Sequence, residues 1–473
     1  MTSVKKSTSR STAPRGRRLL AGLLVAALAA PASGQRAELE KRILRTILPN
    51  GLEVIVVPNP GVPLVTIQAA VRNGSFTESP EYAGLSHLYE HMFFKANSDY
   101  PRPDEFVNRA SELGAVFNAE TKEEVVFYYI TIPKDSIESG MKFMASALKA
   151  PSFRADELER ERAVVIGEYD RQESNPLFEF RKATEKALWG SAANRKDPLG
   201  ERGVISTTTP DKMRFIQQRY YVPNNTALIV AGDITPDRAF ALARATLADW
   251  KRGADPFVTD PVPPTPVLQK DTAVIIEAPI GTAIIQLQWS GPSASKDAAA
   301  TYAADVFSDV LNSPNSKFQQ RLVDSGLFES IGVNYYTLNQ VGPITIQGEV
   351  RPEKLKQALA ALDDELQKSI EPGYITAREL ADTKQHRIAD AMFQMERASE
   401  FGKQLAFWWA VTGMDYFYGY AETMARQSPE DLRRYATTYI LGKPRVVSVV
   451  LPAEVRASLK LTPADLLVRR TRP

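Results

Sequence analysis

Residues 84–95 read GLSHLYEHMFFK, and this stretch decides how the rest of the 473-residue chain is understood. Its pattern predicts an α-helix over residues 84–96. On such a helix His87 and His91 stand one turn apart on the same face with Glu90 beside both, so two imidazoles and a carboxylate converge on one point. Leu85, Leu88 and Met92 fall on the opposite face, which would bury the helix and leave the polar trio facing outward. That is the pattern of a metal site with a base beside it.

A catalytic zinc takes three protein ligands and keeps a fourth position for water, so two histidines are not enough. The only other histidine, His386, is isolated in the second half and reads as a surface or core residue, and the chain has no cysteine. Better candidates lie on a charged helix predicted from Asp156 to Glu173 and bounded by Pro151 and Pro176. Glu161 and Glu168 are seven residues apart and share one face of it. One could ligate while the other orients a histidine. The remaining charges from Asp156 to Arg162 read as a solvated face.

Outward from this core, strands and helices alternate without a Rossmann glycine pattern, which points to a mixed α/β or α+β architecture. GLEVIVV (Gly51 to Val57) and LVTIQAAV (Leu64 to Val71) are β-rich runs separated by Pro58, Pro60, Gly61 and Pro63, and read as a hairpin or meander. Further strands are expected at Val125 to Ile132 and Thr226 to Ala231, with helices at 103–113 and 136–149. Five prolines between Pro256 and Pro266 favour an extended connector. After it the order resumes: strands at Ala273 to Ile276 and Ala283 to Trp289, a helix from Ala298 to Asn312, strands within Val333 to Val350, and a last strand at Arg445 to Leu451. The expected organisation is a first domain at 36–255, a linker at 256–270 and a second, similar domain at 271–460. The aromatic cluster from Phe407 to Tyr420 reads as core or interdomain packing.

Composition narrows the partners. Six basic residues (Lys5, Lys6, Arg10, Arg15, Arg17, Arg18) precede an apolar run from Leu19 to Ala30 and a small-residue site at Ala30-Pro31-Ala32. This is the layout of a signal peptide over residues 1–32, cut after Ala32 or Gly34, and it implies a periplasmic or secreted protein. Arg17-Arg18 leaves open whether export is general or twin-arginine. Removing those six charges turns the net +2 into −4, which gives no basic surface for nucleic acid. No later run is long and apolar enough for a membrane span. Without cysteine, any metal site must use His, Asp or Glu.

The segment from Leu48 to Lys95, LPNGLEVIVVPNPGVPLVTIQAAVRNGSFTESPEYAGLSHLYEHMFFK, resembles the opening of the pitrilysin/insulinase family, which includes the mitochondrial processing peptidases. Its H-x-x-E-H reverses the commoner H-E-x-x-H order. The resemblance implies that His87 and His91 hold Zn2+, that Glu168 in ERAVVIGE is the third ligand, that Glu90 is the general base and that Glu161 is the supporting acid. Asn118 and Ala119 in VFNAET resemble the family's substrate-binding edge strand, where a peptide pairs by strand addition. YYVPNN (Tyr220 to Asn225) and AGDITP (Ala231 to Pro236) extend the likeness, and SKFQQRL (Ser316 to Leu322) continues it more loosely. The implied fold is a clamshell of two similar α/β-sandwich halves around a peptide-sized chamber.

One family feature is missing. Members that act alone carry, in the second half, an arginine followed seven residues later by a tyrosine, which serves the substrate carbonyl and oxyanion. Aligning QRL (Gln320 to Leu322) puts Val323 at the arginine and Glu329 or Ser330 at the tyrosine, and counting from Arg321 reaches Phe328. Tyr335 and Tyr336 have the wrong offset. The resemblance therefore implies a zinc endopeptidase acting on peptides or unfolded polypeptides as the catalytic subunit beside a homologous chain that supplies the Arg/Tyr pair. A self-sufficient peptidase and a non-catalytic peptide-binding or scaffold protein are the alternatives.

Overall fold

The apolar runs near the start of the chain become strands buried on both faces. A computed structural model describes residues 35–468, so the signal peptide read at 1–32 lies outside the described residues. The first sheet contains β1 (Leu44–Ile47), β2 (Glu53–Pro58), β3 (Leu64–Val71), β4 (Val116–Thr121), β5 (Val126–Pro133) and β6 (Thr226–Gly232), in the order β1-β2-β6-β3-β5-β4. The expected hairpin of β2 with β3 does not form. Instead β6 lies between them, parallel to β2 and antiparallel to β3. The short link crosses the end of β6, where Asn59 N donates to Gly232 O (2.7 Å) and Asp233 N to Leu64 O (2.9 Å). A proline-rich link looks like a turn in sequence whether it joins neighbours or steps over one strand.

The second sheet repeats this plan. It contains β7 (Thr272–Glu277), β8 (Ala283–Ser290), β9 (Ser330–Tyr335), β10 (Pro343–Val350) and β11 (Val446–Leu451), in the order β7-β11-β8-β10-β9. Again the last strand of the half enters between the first two, parallel to one and antiparallel to the other. Apart from the extra edge strand β1, the two halves share one topology and form the two-part α+β architecture expected from the sequence.

The halves exchange helices. On the first sheet, Val54, Val56, Ile67 and Ala69 pack against helices of the first half, including Leu85–Phe93 and Ile137–Lys149. Its other face, with Ile55, Val57, Ala70 and Ile229, is covered by the second-half helix Ala398–Val411 through Phe401, Leu405 and Trp409. Gly402 allows this approach, since a Cβ there would sit 2.8 Å from Gln68 Oε1 on β3. In return, the first-half helix Phe178–Trp189 covers the second sheet, where Phe180 meets Ile284 and Val450 and Thr184 bonds to Ser448 at 2.9 Å. Covering both faces explains why these strands read as continuous apolar runs rather than alternating ones. Part of the aromatic cluster is this interdomain contact.

Between the sheets, Pro256–Thr259 makes one helical turn capped by Asp255, and residues 260–271 form neither helix nor strand. Among the described residues no helix is long and apolar enough to cross a membrane.

Candidate metal centre

The helix Leu85–Phe93 starts at Gly84, whose φ of 91° suits glycine and whose Cβ, if present, would lie 2.8 Å from Leu199 O. Its free N–H groups are met by a buried acid that sequence reading missed: Glu78 accepts from Gly84 N and Ser86 N, both at 2.7 Å. Burial raises the Glu78 pKa to about 7 against the pull of those bonds. Leu85, Leu88 and Met92 are fully buried, as the helical spacing predicted. His87 and His91 face the opposite way, their rings 4.9 Å apart and nearly perpendicular.

The helix Ala155–Glu173 brings the acids to them. Glu168 Oε2 lies 3.6 Å from His87 Nε2 and 3.8 Å from His91 Nε2. Glu161 Oε2 lies 3.2 Å from His91 Nδ1, while its other oxygen pairs with Lys95 Nζ at 2.7 Å. Glu168 thus faces both Nε2 atoms, whereas Glu161 sits behind one imidazole. Of the charges expected on the solvated face of this helix, Asp156, Glu159 and Arg160 are exposed and Arg162 is half-buried, and only Glu157 departs from the expectation. Glu157 is buried and pairs with Arg160, and Leu158 packs into the core.

The donor chemistry suits a divalent metal. One atom each from His87, His91 and Glu168 lies within 4.8 Å of the others. Donors 2.0–2.1 Å from a tetrahedral zinc stand about 3.4 Å apart, close to the spacings found. Burial, with His91 adding to it, lowers the His87 pKa to about 4, so its ring is neutral and has a lone pair to give. Burial also lowers that of His91, but the bond to Glu161 and the nearby Glu168 and Glu90 outweigh it and the net shift is upward. The same bond, with Lys95, overcomes burial to lower the Glu161 pKa.

Glu90 stands beside this group. Thr121 Oγ1, at the end of β4, donates to Glu90 Oε2 at 2.5 Å. Burial raises the Glu90 pKa despite that bond. Asn118 and Ala119 lie on the same strand, which among the described residues pairs with β5 alone and has no strand on its other edge. Asn118 Oδ1 accepts from Ala119 N at 2.9 Å. No Arg/Tyr pair is found at the expected place: Val323 packs on the second core, Phe328 is buried, Glu329 pairs with Arg351 and Arg321 with Glu365. His386 is exposed on the helix Ala377–Gln394, at the wall of a cavity of about 740 Å³ that contains none of the metal-centre residues.

The helix that carries His87, Glu90 and His91 is thus met by Glu168 from a second helix, with the half-buried Glu90 carboxylate beside the three donors. Residues 53–202 match the model of the insulinase family (peptidase family M16) and residues 207–386 that of the M16 inactive domain, and the chain belongs to this family. The uncharacterized zinc protease YmxG of Bacillus subtilis (strain 168) is 25% identical over 358 residues, 75% of this chain and 85% of that protein. Among solved structures, a protease from Helicobacter pylori superposes with a TM-score of 0.78 at 21% identity, covering 87% of this chain and 99% of that one. The periplasmic protease PqqL from Escherichia coli gives 0.75 at 21% identity over 90% of this chain but only 49% of its own. The fold is thus that of the two-half M16 clamshell, and this chain corresponds to about half of PqqL.

Proposed function

We propose that this chain is a zinc-dependent endopeptidase for peptides or unfolded polypeptides. His87, His91 and Glu168 would hold the metal, Glu90 would be the general base and Glu161 would orient His91. The observation that carries this is the convergence of the three donor atoms within 4.8 Å, with the Nδ1 of His91 already occupied by Glu161 so that its Nε2 faces Glu168. Zinc bound there would supply Lewis acidity, polarising a scissile carbonyl and making the attacking water acidic near neutral pH.

The protein side of the reaction follows from its own groups. Thr121 holds one oxygen of Glu90, which leaves the other to take the proton from the attacking water. Its raised pKa makes Glu90 a stronger base than a solvated carboxylate. A substrate strand would add to the open edge of β4 at Asn118 and Ala119, placing its backbone beside Glu90. The functional units would be 36–255 and 271–460, joined by 256–270. Because each lends a helix to the other's sheet, they would fold together.

The second half offers no Arg/Tyr pair, which supports a homologous partner chain that faces this centre and provides it. PqqL, about twice as long, has room for two such units in one chain. Export by a cleaved signal to the periplasm or outside the cell is the matching location. The test is metal stoichiometry of the purified protein: about one zinc per chain is expected. His91→Ala and Glu168→Ala should lose most of it, and retention of zinc by Glu168→Ala would remove Glu168 from the ligand set.

A further inference from the structure

The turn between β4 and β5 is held by the other half of the molecule. Residues 122–125 close the hairpin, with Lys122 N bonded to Val125 O at 2.9 Å. Beside Thr121, therefore, the chain enters a loop that reaches the second half. Tyr336 Oη donates to Glu123 Oε2 at 3.0 Å, and Asn339 N donates to Glu124 Oε2 at 2.8 Å. Glu124 is only 4% exposed. The second-half loop that donates these bonds is itself pinned, since Lys196 Nζ of the first half donates to Val341 O at 3.1 Å and Asn339 Nδ2 to Val411 O at 3.0 Å. Phe407, from the exchanged helix, lies tilted against Tyr336 with ring centroids 5.9 Å apart and carries Lys122 Nζ over its ring at 5.8 Å.

These contacts form a connected path: second-half loop, β4–β5 turn, Thr121, Glu90. We infer that Thr121 is a positioning residue for Glu90, and that the second half controls it by gripping the turn through Tyr336 and Asn339. A carboxylate on a helix can swing about its side-chain torsions. One hydroxyl donor fixes which oxygen faces the open edge of β4, and a donor at a strand end is only as steady as the turn beside it. In this reading the second half, although it brings no group to the metal, sets the geometry of the base.

The inference rests on the proposed role of Glu90, so its test includes a readout that does not depend on activity. The full chain, with any partner it requires, is assayed on an unstructured fluorogenic peptide. Thr121→Val should lower kcat roughly 10- to 100-fold, the range for losing a hydrogen bond to a charged group, with KM and zinc content unchanged. Thr121→Ser should restore most of it. Tyr336→Phe should lower kcat by a smaller factor and add little in the double variant with Thr121→Val, because both act through one contact. Crystal structures of the metal-free proteins should show the Glu90 carboxylate displaced in Thr121→Val. Unchanged kcat with Glu90 unmoved, or fully additive effects of the two substitutions, would overturn the inference. If the wild type held no zinc and cleaved nothing, the proposed function would fall, and the position of Glu90 in the Thr121→Val crystal would still decide this contact.

Discussion

Glu161→Gln isolates the acid behind the metal centre. Glu161 is 5% exposed and spans two partners, His91 Nδ1 at 3.2 Å and Lys95 Nζ at 2.7 Å. The amide keeps the shape but loses the charge that, in the proposed role, would fix the His91 tautomer and make its Nε2 a better donor. Changes of this kind typically cost 10- to 100-fold in metal affinity, or about 1.4–2.7 kcal/mol. The metal-free protein should also lose about 1–2 kcal/mol, because the Lys95 ammonium is left against a neutral group. This second loss has a pH signature. The folded pKa of Glu161 is depressed, so its contribution is present above the unfolded value and fades as pH falls through the folded one. Zinc affinity is measured by competition with a chromophoric chelator, and stability by denaturant unfolding of the apoprotein. A stability loss with zinc affinity unchanged within about threefold would refute the orienting role, since tenfold is the smallest effect the geometry predicts.

Two further substitutions test the scaffold. Gly84→Ala should destabilise the protein by about 2 kcal/mol or more, because a Cβ would meet Leu199 O at 2.8 Å and the positive φ disfavours alanine; thermal melts that match wild type would contradict this. Glu124→Gln should flatten the pH dependence of unfolding. Burial raises the folded pKa of Glu124 from 4.5 to about 7, so the folded state holds the proton more tightly and wild-type stability falls as pH rises through that window. The difference from Glu124→Gln should reach about 2.5 kcal/mol between pH 5 and pH 8, read from denaturant curves at the two values, and parallel curves would contradict the shift.

Much of the centre is legible because it is local. His87, Glu90 and His91 share a helix, and their convergence follows from helical geometry alone. So does the burial of Leu85, Leu88 and Met92. Glu168 is different: its helix could be drawn from sequence, but only the family resemblance selected it over Glu161, since nothing local says which acid faces Nε2. Glu78 and Thr121 were not legible. Each acts across a tertiary contact, and an acid before a helix or a threonine ending a strand is too common a signal. The same limit explains the mistaken hairpin. β6 is separated from β2 and β3 by the whole first half, and continuous apolar runs do not reveal which strand enters between them. The exchange of Phe178–Trp189 and Ala398–Val411 is likewise a property of three dimensions, although the aromatic residues between 407 and 420 did signal a packing surface.

Peptide cleavage at this centre with Glu90 as the proposed base is decided by one comparison. Zinc-loaded wild type and Glu90→Gln, each with any homologous partner present, are assayed for hydrolysis of an unstructured peptide. Wild type should turn over, and Glu90→Gln should lose at least about 100-fold in kcat with its zinc retained, as expected when a positioned proton acceptor is removed. Hydrolysis by Glu90→Gln at the wild-type rate would contradict it.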